Sequence, residues 1–272
     1  MDKHTIKQLI IGEFSLRRVI FSIVFIYTAV LAWAYFQSDH LIFLPPPSTY
    51  APSDDLTFLQ TENNLEIAAL YLPNPNAPYT LLYSHGNAED IGQNRSRMER
   101  LQELGFAVLI YDYPGYGLSQ GKPSEAGAYQ AIDAAYQYLT QTLQIPSEQI
   151  VAYGRSLGGG AAVDLAARKP LGGLVVESSF ISTFRVPIPV KIFPIDKFRN
   201  LAKMKRVTCP VLVIHGEQDQ TIPFWHGQEL YQAAPDPKQF LWVQGADHNN
   251  LPQIAGEKYN EALREFKQLL SQ

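Results

Sequence analysis

The 272-residue sequence predicts an α/β fold: a mostly parallel central sheet with helices on both faces and a short cap, preceded by one N-terminal transmembrane helix. Three observations support that expectation. Apolar, β-branched runs alternate with amphipathic stretches in βαβα order, the pattern of parallel strands buried on both faces. One of these runs ends in Gly154-Arg155-Ser156-Leu157-Gly158, where a strand must turn at once into a helix. Residues 19–36 contain no charge, and as a helix they span about 27 Å of a hydrocarbon core roughly 30 Å thick.

Residues 1–18 form an N-terminal segment carrying Lys3, Lys7, Arg17 and Arg18, and the next Lys or Arg is Arg95. The positive-inside rule then keeps that terminus cytoplasmic and places everything beyond Phe36 on the exported side, whether periplasm, lumen or cell exterior. Retention of 19–36 as a signal-anchor is the first reading. A cleaved signal peptide is the alternative, because Ala32-Trp33-Ala34 has the form of an A-x-A site and Arg17-Arg18 resembles a twin-arginine signal. Bulky Trp33 and the continuing apolar residues Leu41, Ile42, Phe43 and Leu44 favour retention. Pro45, Pro46 and Pro47 stiffen a linker over 37–54, and the main folded domain occupies 55–272.

Within that domain, 56–60 and 65–72 read as edge strands joined through Glu62, Asn63 and Asn64. The strand at 79–84 ends in His85-Gly86-Asn87-Ala88 and feeds a helix that carries Met98, Leu101 and Leu104 to Gly105. The alternation continues through a strand at 107–111, a turn at 114–117, a helix over 124–143, the strand before Ser156, its helix to Arg168 and a strand at 173–177. After an irregular stretch come strand 211–215, a helix near 224–234, strand 239–243 and a terminal helix presenting Tyr259, Leu263, Phe266 and Leu270 on one side.

Composition narrows the function classes. A net charge of −4 offers no basic face to nucleic acid or to anionic lipid. Cys209 is the sole cysteine, so there is no internal disulfide, and its apolar neighbours make it a small buried hydrophobe. Gly115-Tyr116-Gly117 follows a strand, but the next glycine is Gly121 and Pro123 follows it, so the dinucleotide-binding spacing fails.

The chemistry is read outward from Ser156. A serine hydroxyl is a weak nucleophile near neutral pH; it needs a base to take its proton and a carboxylate to orient that base. Ligands of parallel sheets gather at the carboxyl ends of the strands, so the loops after the last two strands are the places to search. His248 is the candidate base and Asp219 the candidate acid, in the chain order serine, acid, histidine. Glu217 and Asp247 are rival acids, although Glu217 stands almost on the strand end and Asp247 adjoins the imidazole in sequence. His4 and His40 flank the apolar segment, His85 precedes the serine, His215 ends a strand and His226 falls in a predicted helix. A metal site of His215, Asp219 and His226 is an alternative without tight ligand spacing; neither a metal nor a cofactor is expected. Charge developing on a carbonyl oxygen requires N–H donors, for which the Leu157 amide at a helix N-terminus and the Asn87 amide after the His85-Gly86 turn are the candidates.

From about Tyr35 onward the chain resembles the small membrane-anchored α/β-hydrolase-domain proteins. The matching motifs are Ser84-His85-Gly86-Asn87-Ala88, Tyr111-Asp112-Tyr113-Pro114-Gly115-Tyr116-Gly117, Gly154-Arg155-Ser156-Leu157-Gly158, Cys209-Pro210-Val211-Leu212-Val213-Ile214-His215-Gly216 and the Asp219 and His248 loops. The resemblance implies an α/β-hydrolase fold with a triad of Ser156, Asp219 and His248 and oxyanion donors at Asn87 and Leu157. The expected protein is a membrane-anchored serine hydrolase of carboxylic esters or thioesters, lipid-like compounds or acylated proteins among them. A serine peptidase or amidase, or an inactive membrane scaffold, is the alternative. Residues 180–194 fall where relatives place their cap, and about thirty residues leave room only for a small one over a shallow cleft. Two departures stand out: Asp247 replaces the glycine usual before the histidine, and the cysteine-rich N-terminus of the depalmitoylating relatives is missing, so that activity is not carried over.

Overall fold

In the computed structural model, which describes residues 15–190 and 194–271, the apolar runs become strands β1 (Leu56–Gln60), β2 (Glu66–Leu72), β3 (Thr80–Ser84), β4 (Ala107–Tyr111), β5 (Ile150–Arg155), β6 (Gly173–Glu177), β7 (Val211–Gly216) and β8 (Lys238–Val243). The helices are α1 (Leu16–Ile42), α2 (Ile91–Glu103), α3 (Glu125–Gln137), α4 (Gly158–Ala166), α5 (Asn200–Met204), α6 (Trp225–Ala233), α7 (Leu251–Ala255) and α8 (Glu257–Leu269). The chain divides into two units, Met1–Leu41 and Ile42–Gln272.

The first unit consists, in its described part, of α1. Phe21, Ile23, Phe25, Ile26 and Phe36 are all exposed on it, and the helix is long and apolar enough to cross a membrane. It outruns the uncharged stretch at 19–36 and continues through Gln37, Ser38, Asp39 and His40 to Ile42. Polarity ends an apolar run but not a helix. What stops this one is the approach of Pro45, which disfavours helical backbone at the residue before it. Residues 1–14, with Lys3 and Lys7, and the cap positions 191–193 lie outside the described residues.

In the second unit the eight strands form one sheet in the order β1-β2-β4-β3-β5-β6-β7-β8. At one edge β2 pairs antiparallel with both β1 and β4, and the other pairs are parallel. Side chains alternate between faces, as the period of two requires. Leu82, Leu109, Ala152, Leu174 and Val213 pack on one side with α3 and α4. Leu81, Tyr83, Val108, Val151, Tyr153 and Leu212 pack on the other with Met98 and Leu101 of α2 and Tyr259, Leu263 and Phe266 of α8. Each such side chain, when fully buried, contributes about 1.5–3 kcal/mol. Every residue of α4 is buried, which its glycines and alanines permit by keeping the helix thin.

Helix starts follow local chemistry. Asp90 caps α2 by accepting from Gln93 N at 3.1 Å, and Ser124 caps α3 by accepting from Gly127 N at 3.0 Å. The helix expected over 124–143 ends at Gln137 and passes into a wider turn at Tyr138–Thr142. The terminal helix is broken at Gly256, whose φ is +56°.

Over 37–54, where a stiff linker is expected, α1 continues to Ile42 and the residues after it are held within the second unit. Phe43 is buried, Thr49 N donates to Asp90 Oδ2 at 2.7 Å, and the Tyr50 hydroxyl donates to Asp112. Prolines prevent helix there, but they do not prevent anchoring by the residues between them.

Candidate active site

Ser156 stands at the corner between β5 and α4 with φ at +51°, a left-handed conformation that costs a side-chain-bearing residue about 1–3 kcal/mol. The surroundings hold it there. Ser156 N donates to Glu177 O at 2.9 Å, and Ser179 Oγ donates to Ser156 O at 2.8 Å. The two glycines of the corner are demanded by space: a Cβ on Gly154 would meet Gly158 O at 2.5 Å, and one on Gly158 would drive into the carbonyls of Ser84 and His85.

Asp219 lies in the loop after β7 and His248 in the loop after β8. His248 Nδ1 is 2.7 Å from Asp219 Oδ2, and its Nε2 is 3.0 Å from Ser156 Oγ. An ionised carboxylate only accepts, so the proton of a neutral imidazole resides on Nδ1 and Nε2 presents its lone pair to the serine hydroxyl. All three side chains are buried. Burial opposes the charge on Asp219. Against it act His215 Nε2 at 3.5 Å, His248, and the N–H groups of Ile222 at 2.7 Å and Thr221 at 2.9 Å, which together hold the carboxyl well below the usual range.

Neither rival acid bonds the His248 ring. Glu217 is exposed. Asp247 Oδ1 accepts from Gln220 N at 3.0 Å and from His248 N at 2.7 Å, bonds that lower its pKa and pin the Asp219 loop to the His248 loop. The alternative metal set also has other partners. His215 Nε2 donates to Ile222 O at 2.9 Å, and His226 Nδ1 accepts from Ile181 N at 3.3 Å. Burial, followed by neighbouring His215 and Arg185, pushes His226 down to about 4, so it is neutral near pH 7. Among the described residues no group of three His, Cys, Asp or Glu side chains is arranged to hold a metal ion. Cys209 is buried, and that burial raises its thiol to about 12.

The amide N–H groups of Leu157 and Asn87 donate to no acceptor among the described residues. Leu157 immediately precedes α4, whose N-terminal end adds positive potential. Asn87 lies beyond β3, in a loop where Ala88 has φ at +55°. The loop is fixed through His85, whose Nδ1 donates to Gly86 O at 2.7 Å and whose Nε2 lies 3.3 Å from Asp112 Oδ1. Burial would push that imidazole down, but Asp112 and the Gly86 carbonyl outweigh it and raise its pKa.

Sequence reasoning missed Arg155, which holds these loops together. It is buried at the end of β5 and pairs with Glu89 of the Asn87 loop. Its Nη2 donates to His248 O at 3.2 Å and to Asn249 Oδ1 at 2.8 Å. One guanidinium thus ties the serine corner to both neighbouring loops. Glu177 lies below it, 3.6 Å from Arg155 Nε and 2.8 Å from Arg97 Nη1, and accepts from the hydroxyls of Tyr153 and Tyr259. Burial alone would raise the Glu177 carboxyl, but Arg97, Arg155 and Tyr153 hold it at about 2. The available signal was a charged residue closing a strand that is otherwise apolar, since a buried guanidinium requires partners.

The parallel sheet and the corner serine together define an α/β hydrolase, and the chain belongs to that superfamily. A family model described as Serine aminopeptidase, S33 matches residues 75–194. The chain is 40% identical over 217 residues to alpha/beta hydrolase domain-containing protein 17B of Homo sapiens, covering 78% of this chain and 74% of that protein. It is 44% identical over 197 residues to alpha/beta hydrolase domain-containing protein aho-3 of Caenorhabditis elegans, a match that covers 71% of this chain but only 59% of that relative. Among solved structures, the esterase Pf2001 of Pyrococcus furiosus superposes with a TM-score of 0.70 at 20% identity, covering 83% of this chain and 97% of that one. At such identity the likeness is one of fold.

Proposed function

We propose that the protein is a membrane-anchored serine hydrolase that cleaves carboxylic esters or thioesters through an acyl-enzyme. The observation that carries the proposal is the 3.0 Å approach of His248 Nε2 to Ser156 Oγ, with Asp219 on the far side of the ring. Ser156 Oγ attacks the carbonyl carbon as its proton passes to His248 Nε2, while Asp219 orients the imidazole and stabilises its positive charge. The amides of Leu157 and Asn87 bind the oxyanion, each such donor lowering the barrier by about 2.7–4 kcal/mol. Collapse breaks the bond to the leaving alcohol or thiol, which takes its proton from His248. Water, activated by the same imidazole, then releases the acid and restores Ser156. No metal or organic cofactor takes part.

The short cap supports substrates with sizeable acyl groups, lipid-like esters and acylated proteins among them; a net charge of −4 gives no reason to expect nucleic acid as a partner. Helix α1 is the anchor. With Lys3, Lys7, Arg17 and Arg18 ahead of its apolar run, the N-terminus is cytoplasmic and the hydrolase domain is exported. A topology reporter fused to the C-terminus should be active only on the exported side, and a cytoplasmic signal would overturn the orientation.

The matched family description favours a second reading, an aminopeptidase. Full-length protein in detergent should turn over acyl esters and thioesters of graded chain length, and Ser156→Ala should abolish this. Faster turnover of aminoacyl amides than of the matched esters would select the peptidase.

A further inference from the structure

Residues 42–50, which start at the last residue of α1, form a strap laid across the loop that carries Asn87. Asn87 Nδ2 donates to Ile42 O at 2.6 Å, and Asn87 Oδ1 accepts from Leu44 N at 2.9 Å and from the Tyr116 hydroxyl at 2.7 Å. Further along, Asp90 accepts from Thr49 N at 2.7 Å and Thr49 Oγ1 at 2.5 Å while also capping α2. The Tyr50 hydroxyl donates to Asp112, the carboxylate that faces His85 and accepts from Ile91 N at 3.0 Å. Phe43 is the apolar pin: it is 3% exposed and its ring lies 6.4 Å from Tyr116 and 6.0 Å from Phe198. Gly92 lets the strap lie close, because a Cβ there would strike the Thr49 side chain.

The Ile42 and Leu44 bonds hold the residue whose peptide N–H is the proposed second oxyanion donor, and the Thr49 and Tyr50 bonds fasten the strap to the loop and strand end on either side of it. With its side chain held by Ile42, Leu44 and Tyr116, Asn87 cannot swing, and its peptide plane is fixed next to the left-handed Ala88. We infer that the strap at 42–50 is a positioning element of the active site, which keeps the Asn87 N–H aimed at the developing oxyanion. The inference rests on the reading of Ser156 as nucleophile. Its members act on the reaction through Asn87. Cleavage behind Ala34 would leave the strap intact, so the role is independent of whether α1 is retained.

A misaimed donor acts on the transition state more than on ground-state binding, and displacement by about 1 Å costs up to 100-fold in rate. Full-length protein in detergent, with Asn87→Ala, Phe43→Ala and Phe43→Leu, tests this by steady-state ester hydrolysis, fluorophosphonate labelling rate and thermal melting. Asn87→Ala keeps the peptide N–H and removes only the clamp. It and Phe43→Ala should lower kcat by about 10- to 100-fold with KM within about twofold, labelling should slow in parallel, and Phe43→Leu should restore most of the loss. Cooperatively melting variants with unchanged kcat, or with a raised KM alone, would reduce the strap to packing while the Ser156 reading stood. Failure of the wild type itself to label would remove that reading and the strap's role with it. If Phe43→Ala does not fold, Thr49→Val combined with Tyr50→Phe decides by the same criteria.

Discussion

Asp247 shows how a single side chain at this site acts through backbone. Its Oδ1 holds two N–H groups, one in the loop of Asp219 and one belonging to His248 itself, so it sets the spacing between proposed base and proposed acid. A glycine at this position would have no such hold. Asp247→Ala should therefore lower kcat about tenfold with little change in KM, because a loosened imidazole reduces the population of productive geometry; unchanged kcat would show the clamp to be incidental. At this scale the legibility of the sequence was uneven. Ser156, Asp219 and His248 stood out as candidates because spacing, chain order and strand ends constrain where such residues stand, and the fold brings His248 within hydrogen-bond distance of the other two. Arg155 and the Asn87 side chain escaped notice because what they do depends on partners far along the chain, Asn249 for one and Ile42 for the other.

Among the elements, the β5–α4 corner has the least tolerance. The Cβ that any other residue would add at Gly158 meets fixed backbone, the carbonyls of Ser84 and His85 at the end of β3, and no rotamer change relieves that. Gly158→Ala should destabilise the protein by about 3 kcal/mol or more, or prevent folding altogether, which a thermal melt compared with an alanine at exposed Gln218 would reveal. Strand positions were legible because β-branched apolar runs are unambiguous when buried on both faces. Helix ends were less so. The last turn of the 124–143 pattern and the break at Gly256 depend on backbone geometry that the apolar pattern does not encode, and α1 outlasts its apolar run because polar residues 37–40 are compatible with helix.

For the molecule as a whole, acid stability follows from the buried carboxylate at its centre. Glu177 sits at about 2 in the fold against 4.5 for the free group, so the unfolded chain binds the proton more readily. Its contribution, on the order of 3 kcal/mol, is fully present above about pH 4.5 and is lost as pH falls toward 2. Thermal melts should record that loss across this window, and Glu177→Gln should start from a lower stability and show a flatter acid limb; an identical acid limb would disprove the assignment. The general architecture, a mostly parallel sheet with helices on both faces, was legible from alternation alone. The attachment of residues 42–50 was not, since three prolines suggest a spacer and say nothing about what lies between them and the fold. The central claim, that Ser156 is an activated nucleophile, is tested most directly by fluorophosphonate labelling of the full-length protein with the adduct mapped by mass spectrometry. The wild type should be modified at Ser156 and Ser156→Ala should remain unlabelled; a folded wild type that stays unmodified, or a label that persists in the variant, would contradict it.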